Sequence, residues 1–264
     1  MTIPDCPVGG VLVLSIDLEA DRHEREFVRQ QQLQNVAGQL VELLARYDLP
    51  ATWAIADPAI STVTGRILKS NPDHEIAVLG DPTWLGSVAG RGPFARQLAR
   101  RVAGARAAGL QISTLVSCGV EVNDHLDLLV KHGITAVRGD VAPARHSARL
   151  RPPRAIRFGV WDVPAGCCLP GPSRLFSSGG GTRAARHVIR QAISQTAIAH
   201  LAIDGANLDR RQSSALRALE YVLRHAARLQ RQGALSIETL SSTAARLSRP
   251  RFASPARSIL RAAA

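Results

Sequence analysis

Short apolar runs alternate along the chain with longer stretches in which apolar residues return every three or four positions. Val11 to Ile16 reads V-L-V-L-S-I, a continuous apolar run with β-branched residues, as expected of a strand buried on both faces of a parallel sheet. From Phe27 to Tyr47 the apolar positions Val36, Leu40, Leu43 and Leu44 have the spacing of an amphipathic helix. A second apolar run, A-T-W-A-I-A from Ala51 to Ala56, follows the short turn D-L-P and completes a βαβ unit.

The unit repeats. Strands are predicted over Glu75–Leu79, Ile112–Ser117, Ala136–Arg138, Phe158–Pro164, Ala197–Ile203 and Leu235–Thr239. Helices are predicted over Phe94–Ala108, Asp124–His132, Ala184–Gln195 and Ser213–Gln232. Ala142 to Pro153 is irregular and rich in Arg and Pro, and S-S-G-G-G-T reads as a Gly-rich turn. This alternation, without a linker of disordered composition, predicts one parallel α/β domain over residues 1–245, closed or nearly closed as a barrel. Residues 246–264, with Arg246, Arg249, Arg251, Arg257 and Arg261 set among Ser, Pro and Ala, are expected to form a solvated basic tail.

In a fold of this kind the chemistry gathers at the carboxyl ends of the strands. That rule brings Asp17, Glu19, Asp57, the loop after Leu79, Cys118, Asp162, Cys167, Cys168 and Asp204 to one mouth. Composition narrows the partners. The 264 residues are 45 % hydrophobic and 20 % charged, the balance of a folded domain. A net charge of +12 suits an anionic partner. However, Lys69 and Lys131 are the only lysines and the arginines are spread over many segments, so the charge reads first as coding bias and a nucleic-acid partner is not expected. No apolar run approaches the about 20 residues of a membrane-spanning helix. The start, M-T-I-P-D-C, lacks the features of a signal peptide, so a cytoplasmic protein is expected. Cys6, Cys118, Cys167 and Cys168 have no zinc-site spacing, and the last two are adjacent; they read as reduced thiols.

Several segments carry a further signal. They are S-I-D-L-E-A-D (Ser15 to Asp21), A-T-W-A-I, H-E-I-A (His74 to Ala77), the long segment Val122 to Asp140, V-W-D-V-P with the later C-L-P, H-L-A-I-D-G-A-N-L, and R-Q-G-A-L-S-I-E-T-L. In this order and spacing, from about Val11 to Leu240, they resemble the polysaccharide deacetylase family, which includes the nodulation-type chitooligosaccharide deacetylases. The resemblance implies a distorted (β/α) barrel of the glycoside hydrolase/deacetylase type. It also implies removal of acetyl groups from N-acetylated sugars, with a divalent metal held by one carboxylate and two histidines. A carboxylate base and a histidine acid complete that chemistry.

Carried over by residue, Asp17 takes the general-base position and Glu19 the carboxylate-ligand position. Leu79 and Thr83 stand where the two metal-binding histidines belong, and neither is a zinc ligand. S-C-G-V (Ser117 to Val120) replaces the motif whose arginine orients the base, and Asp204–Gly205 replaces the acid histidine and its proline. Asp57, Trp84, Cys118, Asp162 and Asn207 are candidates for contacting the glycan. His74 begins its strand and His200 lies about 13 Å before Asp204 along its own strand, so both read as satisfied structural histidines, as does the helix-start His125. Gly179–Gly181 lacks the lysine of a phosphate loop. A cysteine nucleophile at Cys118 or Cys167 lacks a well-placed base.

The expectation is a deacetylase-like protein that has lost its metal site, needs no cofactor, and binds an N-acetylated oligosaccharide or polysaccharide, or a partner protein. The alternative is a working de-N-acetylase or amidohydrolase rebuilt around Asp17, Glu19 and Asp204, with a divalent metal of the magnesium, calcium or manganese class. An anionic-polymer binder is the third reading, and it requires steep salt dependence.

Overall fold

A computed structural model describes residues 9–19, 26–85, 90–117, 125–139, 149–169 and 180–249. Strand β1 (Gly10–Leu18) leads into α1 (Glu26–Tyr47), β2 (Thr52–Ile55), α2 (Thr64–Ser70), β3 (Glu75–Gly80), α3 (Pro82–Leu85), α4 (Arg91–Ala107) and β4 (Thr114–Ser117). Next come α5 (Leu126–Lys131), β5 (Ala136–Arg138), β6 (Arg154–Ala155), β7 (Trp161–Asp162) and β8 (Cys167–Leu169). The chain continues through α6 (Gly180–Gln195), β9 (Ile198–Asp204), α7 (Gly205–Arg231), β10 (Leu235–Glu238) and α8 (Leu240–Ser248). The strands form one sheet in the order β6-β7-β5-β4-β3-β2-β1-β9-β8, with β10 added on β1. Every pairing is parallel apart from β6 with β7.

Strand parity explains which side chains meet. Successive side chains on a strand point to opposite faces. On β1, Leu12, Leu14, Ile16 and Leu18 join the main core, while Val11 and Val13 join a smaller cluster on the concave side of the curled sheet. The next two inward positions are therefore Ser15 and Asp17. The same rule turns His200 and Asp204 inward on β9, opposite Ala199, Leu201 and Ile203, and turns Arg138 inward on β5 beyond Ala136. The run that reads as doubly buried is doubly buried because helices cover one face and the barrel interior the other.

The two ends of the sheet are joined by a single short stretch of chain. Val163 N–H donates to the Val137 carbonyl on β5 at 2.9 Å, and three residues later Gly166 N–H donates to the His200 carbonyl on β9 at 2.9 Å. Residues 163–166 thus bridge the seam, and the fold is a distorted (β/α) barrel as expected.

At the opposite end from the strand carboxyl termini, α8 lies across the barrel and puts Leu240 and Ala244 into the inner cluster. Its start is held by a buried carboxylate. Glu75 accepts from Thr52 Oγ1 at 2.8 Å, Ser241 N–H at 3.0 Å and the Thr114 hydroxyl. Thr52 Oγ1 also accepts Leu240 N–H at 2.8 Å. The free N–H groups of a helix start favour a negative charge there.

The structure adds elements that periodicity did not single out: α2, α3, α8, β6 and β8 are each nine residues or shorter. Helix α7 begins at Gly205, eight residues before the Ser213 start that its apolar spacing predicted, and α6 takes Gly180 and Gly181 into its first turn. Arg246 lies in α8, where its Nε reaches both oxygens of Glu238 at 3.0 and 3.1 Å. Among the described residues no helix is long and apolar enough to cross a membrane.

Glu75→Ala leaves Thr52, Thr114 and the Ser241 N–H without their shared acceptor, and a loss of about 3 kcal/mol is expected. A urea titration reads this as a lower midpoint, with a smaller drop for Glu75→Gln, whose amide oxygen still accepts. An unchanged midpoint for Glu75→Ala would contradict the anchoring role.

Candidate functional site

The inward positions near the strand carboxyl ends form one connected polar group. Arg138, 1 % exposed, donates from Nη2 to Asp17 Oδ2 at 2.5 Å and from Nη1 to Ser15 Oγ at 2.7 Å. Ser15 Oγ lies 2.8 Å from His200 Nε2, and His200 Nδ1 lies 2.9 Å from the Val163 carbonyl. With a neutral imidazole the donors can be assigned in only one way. A carbonyl only accepts, so His200 Nδ1 carries the hydrogen; Nε2 then accepts from the Ser15 hydroxyl, which accepts in turn from Arg138. The chain of bonds runs from β5 through β1 to β9 and ends on the seam.

The imidazole in this chain is neutral. Burial pushes His200 down to about 3, and the Arg138 guanidinium acts in the same direction. His200 and Ser15, 2 % and 0 % exposed, sit beneath the mouth, so the serine–histidine contact serves to position Arg138. Above them, Asp17 and Asp204 are register partners on β1 and β9. Gly205 allows this approach: a Cβ there would lie 2.7 Å from the Asp17 carbonyl oxygen. Cys168 is the inward residue of β8, and burial pushes its thiol up to about 12, with the Asp204 and Asp17 carboxylates adding to the rise. A thiol so disfavoured as thiolate is a poor nucleophile.

The sequence candidates divide clearly. Asp17 and Asp204 come together, and Glu19 follows Asp17 at the end of the described segment. Asp162 is buried on β7 and committed to Arg154, whose Nε and Nη2 donate to its Oδ2 at 3.2 and 2.5 Å. Asp57 turns to Arg100 at 3.6 Å. Trp84 is buried between sheet and helix, its ring 5.9 Å from Phe94 and under the Arg101 guanidinium at 4.7 Å, so it offers no face to the mouth. Cys118 and the Asn207 side chain lie outside the described residues. His74 is buried at the start of β3, accepts the Ala51 N–H at 3.1 Å and packs edge-on to Trp53. His125 lies against Phe94 with ring centroids 4.9 Å apart.

Sequence reasoning missed Ser15, Arg138 and His200 as members of the site, whereas Cys168 stands at the mouth as the strand-end rule expected. It found no arginine for Asp17 in S-C-G-V, and the arginine that reaches Asp17 comes from β5, one strand beyond. The available signal was its parity with the buried Ala136, since a buried guanidinium needs a carboxylate partner.

The residues present do not fit the family's metal. Leu79 is 2 % exposed within the inner apolar cluster. Thr83 is exposed and spends its hydroxyl on Asp81. Asp17 already faces a guanidinium, which repels a dication. Among the described residues no three His, Cys, Asp or Glu side chains are grouped to hold a metal ion. What remains at the mouth is a set of hydrogen-bonding groups. Asp17 Oδ1 is buried and has no hydrogen-bond partner among the described residues, which leaves an acceptor available to a ligand.

No family model matches the chain, and no curated protein matches it by sequence. The likeness is structural. A Mycobacterium smegmatis chain described as a polysaccharide deacetylase superposes with TM-score 0.68 at 13 % identity, over 93 % of this chain and 92 % of that one. A Pseudomonas aeruginosa PAO1 chain of the same description gives 0.64 at 11 % identity, over 91 % of each. PuuE allantoinase gives 0.62 at 11 % identity, over 92 % of each. The fold is thus that of polysaccharide deacetylases, and it also carries a protein named for a different substrate, so the chemistry rests on the site residues.

Two measurements test this network. Arg138→Ala strands the Asp17 carboxylate and should cost about 3–5 kcal/mol. Asp17→Ala with Arg138→Met should recover much of that loss, and additive losses in the double-mutant cycle would argue against the pair. The second measurement is the pH dependence of stability. Unfolded imidazoles protonate near 6.5, whereas folded His74 is lowered to about 4 by burial and His200 to about 3. The unfolded chain therefore binds more protons below about 6.5, so stability is complete above that pH and falls on acidification toward 4 and 3. Replacing His200 by Gln should make the fall shallower by up to about 1.4 kcal/mol per pH unit. An unaltered slope would show that His200 is protonated in the fold.

Proposed function

We propose that this chain is a deacetylase-fold protein that binds an N-acetylated glycan at the strand-end mouth without metal-dependent deacetylation. The observation that carries this reading is Asp17, which Arg138 holds by Oδ2 while Oδ1 is left as a buried acceptor. An acetamido N–H or a sugar hydroxyl is the donor such an oxygen takes. Asp204, alongside in register, adds a second carboxylate. Among the described residues the mouth sets the Asp17 and Asp204 carboxylates beside one guanidinium, a balance that suits neutral, donor-rich ligands rather than anions.

The reading without turnover rests on what amide hydrolysis requires. A group must polarise the scissile carbonyl. Leu79 and Thr83 supply no metal there, and the Arg138 guanidinium is committed to Asp17 and Ser15. One observation favours the alternative, a hydrolase of non-peptide C–N bonds: an arginine does meet the carboxylate at the general-base position. In that reading Asp17 takes the proton of a water and Asp204 supplies the acid.

Titration calorimetry with N-acetylated chitooligosaccharides, run beside acetate release and metal analysis of the same preparation, tests both. Binding without acetate release is expected, before and after addition of zinc or manganese. Asp204→Asn should weaken binding by about tenfold, equivalent to ~1.4 kcal/mol. Acetate release abolished by Asp17→Asn would establish the alternative, and no binding to either acetylated or deacetylated oligomers would remove the glycan reading.

A further inference from the structure

A concentration of charge lies away from the mouth, on the outer faces of α6 and α7. Arg183, Arg186, His187 and Arg190 recur at three- and four-residue spacing on α6, which contains no acidic residue. Arg217, Tyr221, Arg224 and Arg228 recur in the same way on α7. These spacings align side chains on one helix face. The two helices pack together, so the arginines that the linear sequence spreads over separate segments are gathered here into a double row. Both helices run from the mouth toward the far end of the barrel; Arg186 lies near the middle of α6, and Arg190, Arg224 and Arg228 lie in the second halves of their helices.

Tyr221 joins the rows. Arg186 Nη1 donates to its hydroxyl at 3.0 Å, and the guanidiniums of Arg186 and Arg224 stand over its ring, 5.4 and 5.6 Å from the centroid. Arg228 Nη2 lies 3.3 Å from His225 Nδ1. His225 is held below its ordinary value by burial and by Arg186, Arg228 and Arg190, which places three guanidiniums around one imidazole. Among the described residues none of Arg186, Arg190, Arg224 and Arg228 meets a carboxylate. Glu220, the acid nearest them in sequence, turns instead to Arg46 and Tyr47 of α1. Like charges crowded together without counter-charge destabilise the fold, and a bound polyanion would relieve that repulsion.

We propose that this face binds the phosphodiester backbone of a nucleic-acid strand, a function separate from the mouth. Three features select that partner. Arg186 and Arg190, like Arg224 and Arg228, are one turn apart, about 6 Å along the axis. Two such rows on packed helices form a strip of positive charge along which successive phosphates of one strand can lie. The groups are guanidiniums, whose planar fork matches phosphate oxygens. The aromatic ring is already covered by arginines and no other large apolar side chain is exposed on these helices; Ile60, Val130 and Phe158 lie elsewhere. The face therefore suits backbone contact rather than membrane insertion.

Fluorescence anisotropy of a labelled oligothymidylate with the full chain tests the proposal. Four phosphate contacts predict a log–log salt slope near −3, or about a 50-fold loss of affinity between about 50 and 200 mM salt. Replacing Arg190 and Arg228 by Glu should weaken binding at least about tenfold more than replacing Arg96 and Arg106 of α4, exposed arginines that give the same change in net charge. Replacing Arg190 and Arg228 by Gln should halve the salt slope and leave the melting temperature at low salt unchanged or higher. Equal losses for the two Glu variants, no binding by the wild type, or tighter binding to phosphatidylglycerol vesicles or heparin than to the oligonucleotide at equal salt would each overturn it.

Discussion

A guanidinium cannot shed its charge on burial, and the upper part of this barrel is arranged around that constraint. Arg138 is almost wholly removed from water, so its nitrogens must find acceptors within the interior. It takes the Asp17 carboxylate and the Ser15 hydroxyl, and the second choice propagates. A hydroxyl that accepts from arginine has its own hydrogen to place, and His200 Nε2 receives it. An imidazole that accepts at one nitrogen must donate at the other, and the Val163 carbonyl at the seam receives that bond. One buried charge thus fixes the orientation of Asp17 and the tautomer of a histidine, and joins three strands to the closing segment. None of these bonds is worth much singly, but each failure would strand a buried polar group at a cost of about 1–3 kcal/mol.

The same interior is layered, and the layers decide what the mouth can do. At the far end Glu75 ties α8 across the barrel. Above it Val13, Ala54, Ala77, Leu79, Val116 and Ala136 form a dry plug. Only above the plug does polar chemistry begin. Leu79 belongs to the plug, so it is a packing position in this barrel. A histidine placed there would insert an unpaired polar ring among apolar neighbours.

The fold was largely legible because its signals are local. Doubly buried strands and amphipathic helices show in windows of a dozen residues, and the predicted βα repeats match the observed ones from β1 to β10, except that the strand expected over Phe158–Pro164 is a 3-10 turn followed by the two-residue β7. The short elements were not legible: β6 and β8 have two and three residues and exist through their pairing, while α8 is fixed by Thr52 and Glu75, far away in sequence. The site was half legible for the same reason. Asp17 and Asp204 stand at the ends of strands that anyone can draw, and the parallel register brings them together. Arg138 is 121 residues from Asp17 and His200 is 185 from Ser15, so no local pattern connects them. Trp84 misled because an aromatic in a loop after a strand can face either way, and here the Arg101 guanidinium and Phe94 hold it in the core.

Charge is distributed by the same division between inside and outside. Inward strand positions are few, and each charge there is matched by a partner, as Arg138 is by Asp17 and Glu75 by three donors. Outward helix positions are held only by the solvent, so arginine can accumulate on them without disturbing the packing beneath; α6 keeps Ala185, Val188, Ile189 and Ala192 buried while its other face turns basic. A net charge of +12 is therefore compatible with a mouth whose described residues hold more carboxylate than guanidinium. Among the described residues, α7 starts beside the Asp204 carboxylate and ends among Arg224 and Arg228. The two proposed ligands therefore differ in chemistry: guanidiniums attract an anion, carboxylates repel it, and a neutral sugar takes hydrogen bonds from carboxylates while gaining no charge attraction from arginines.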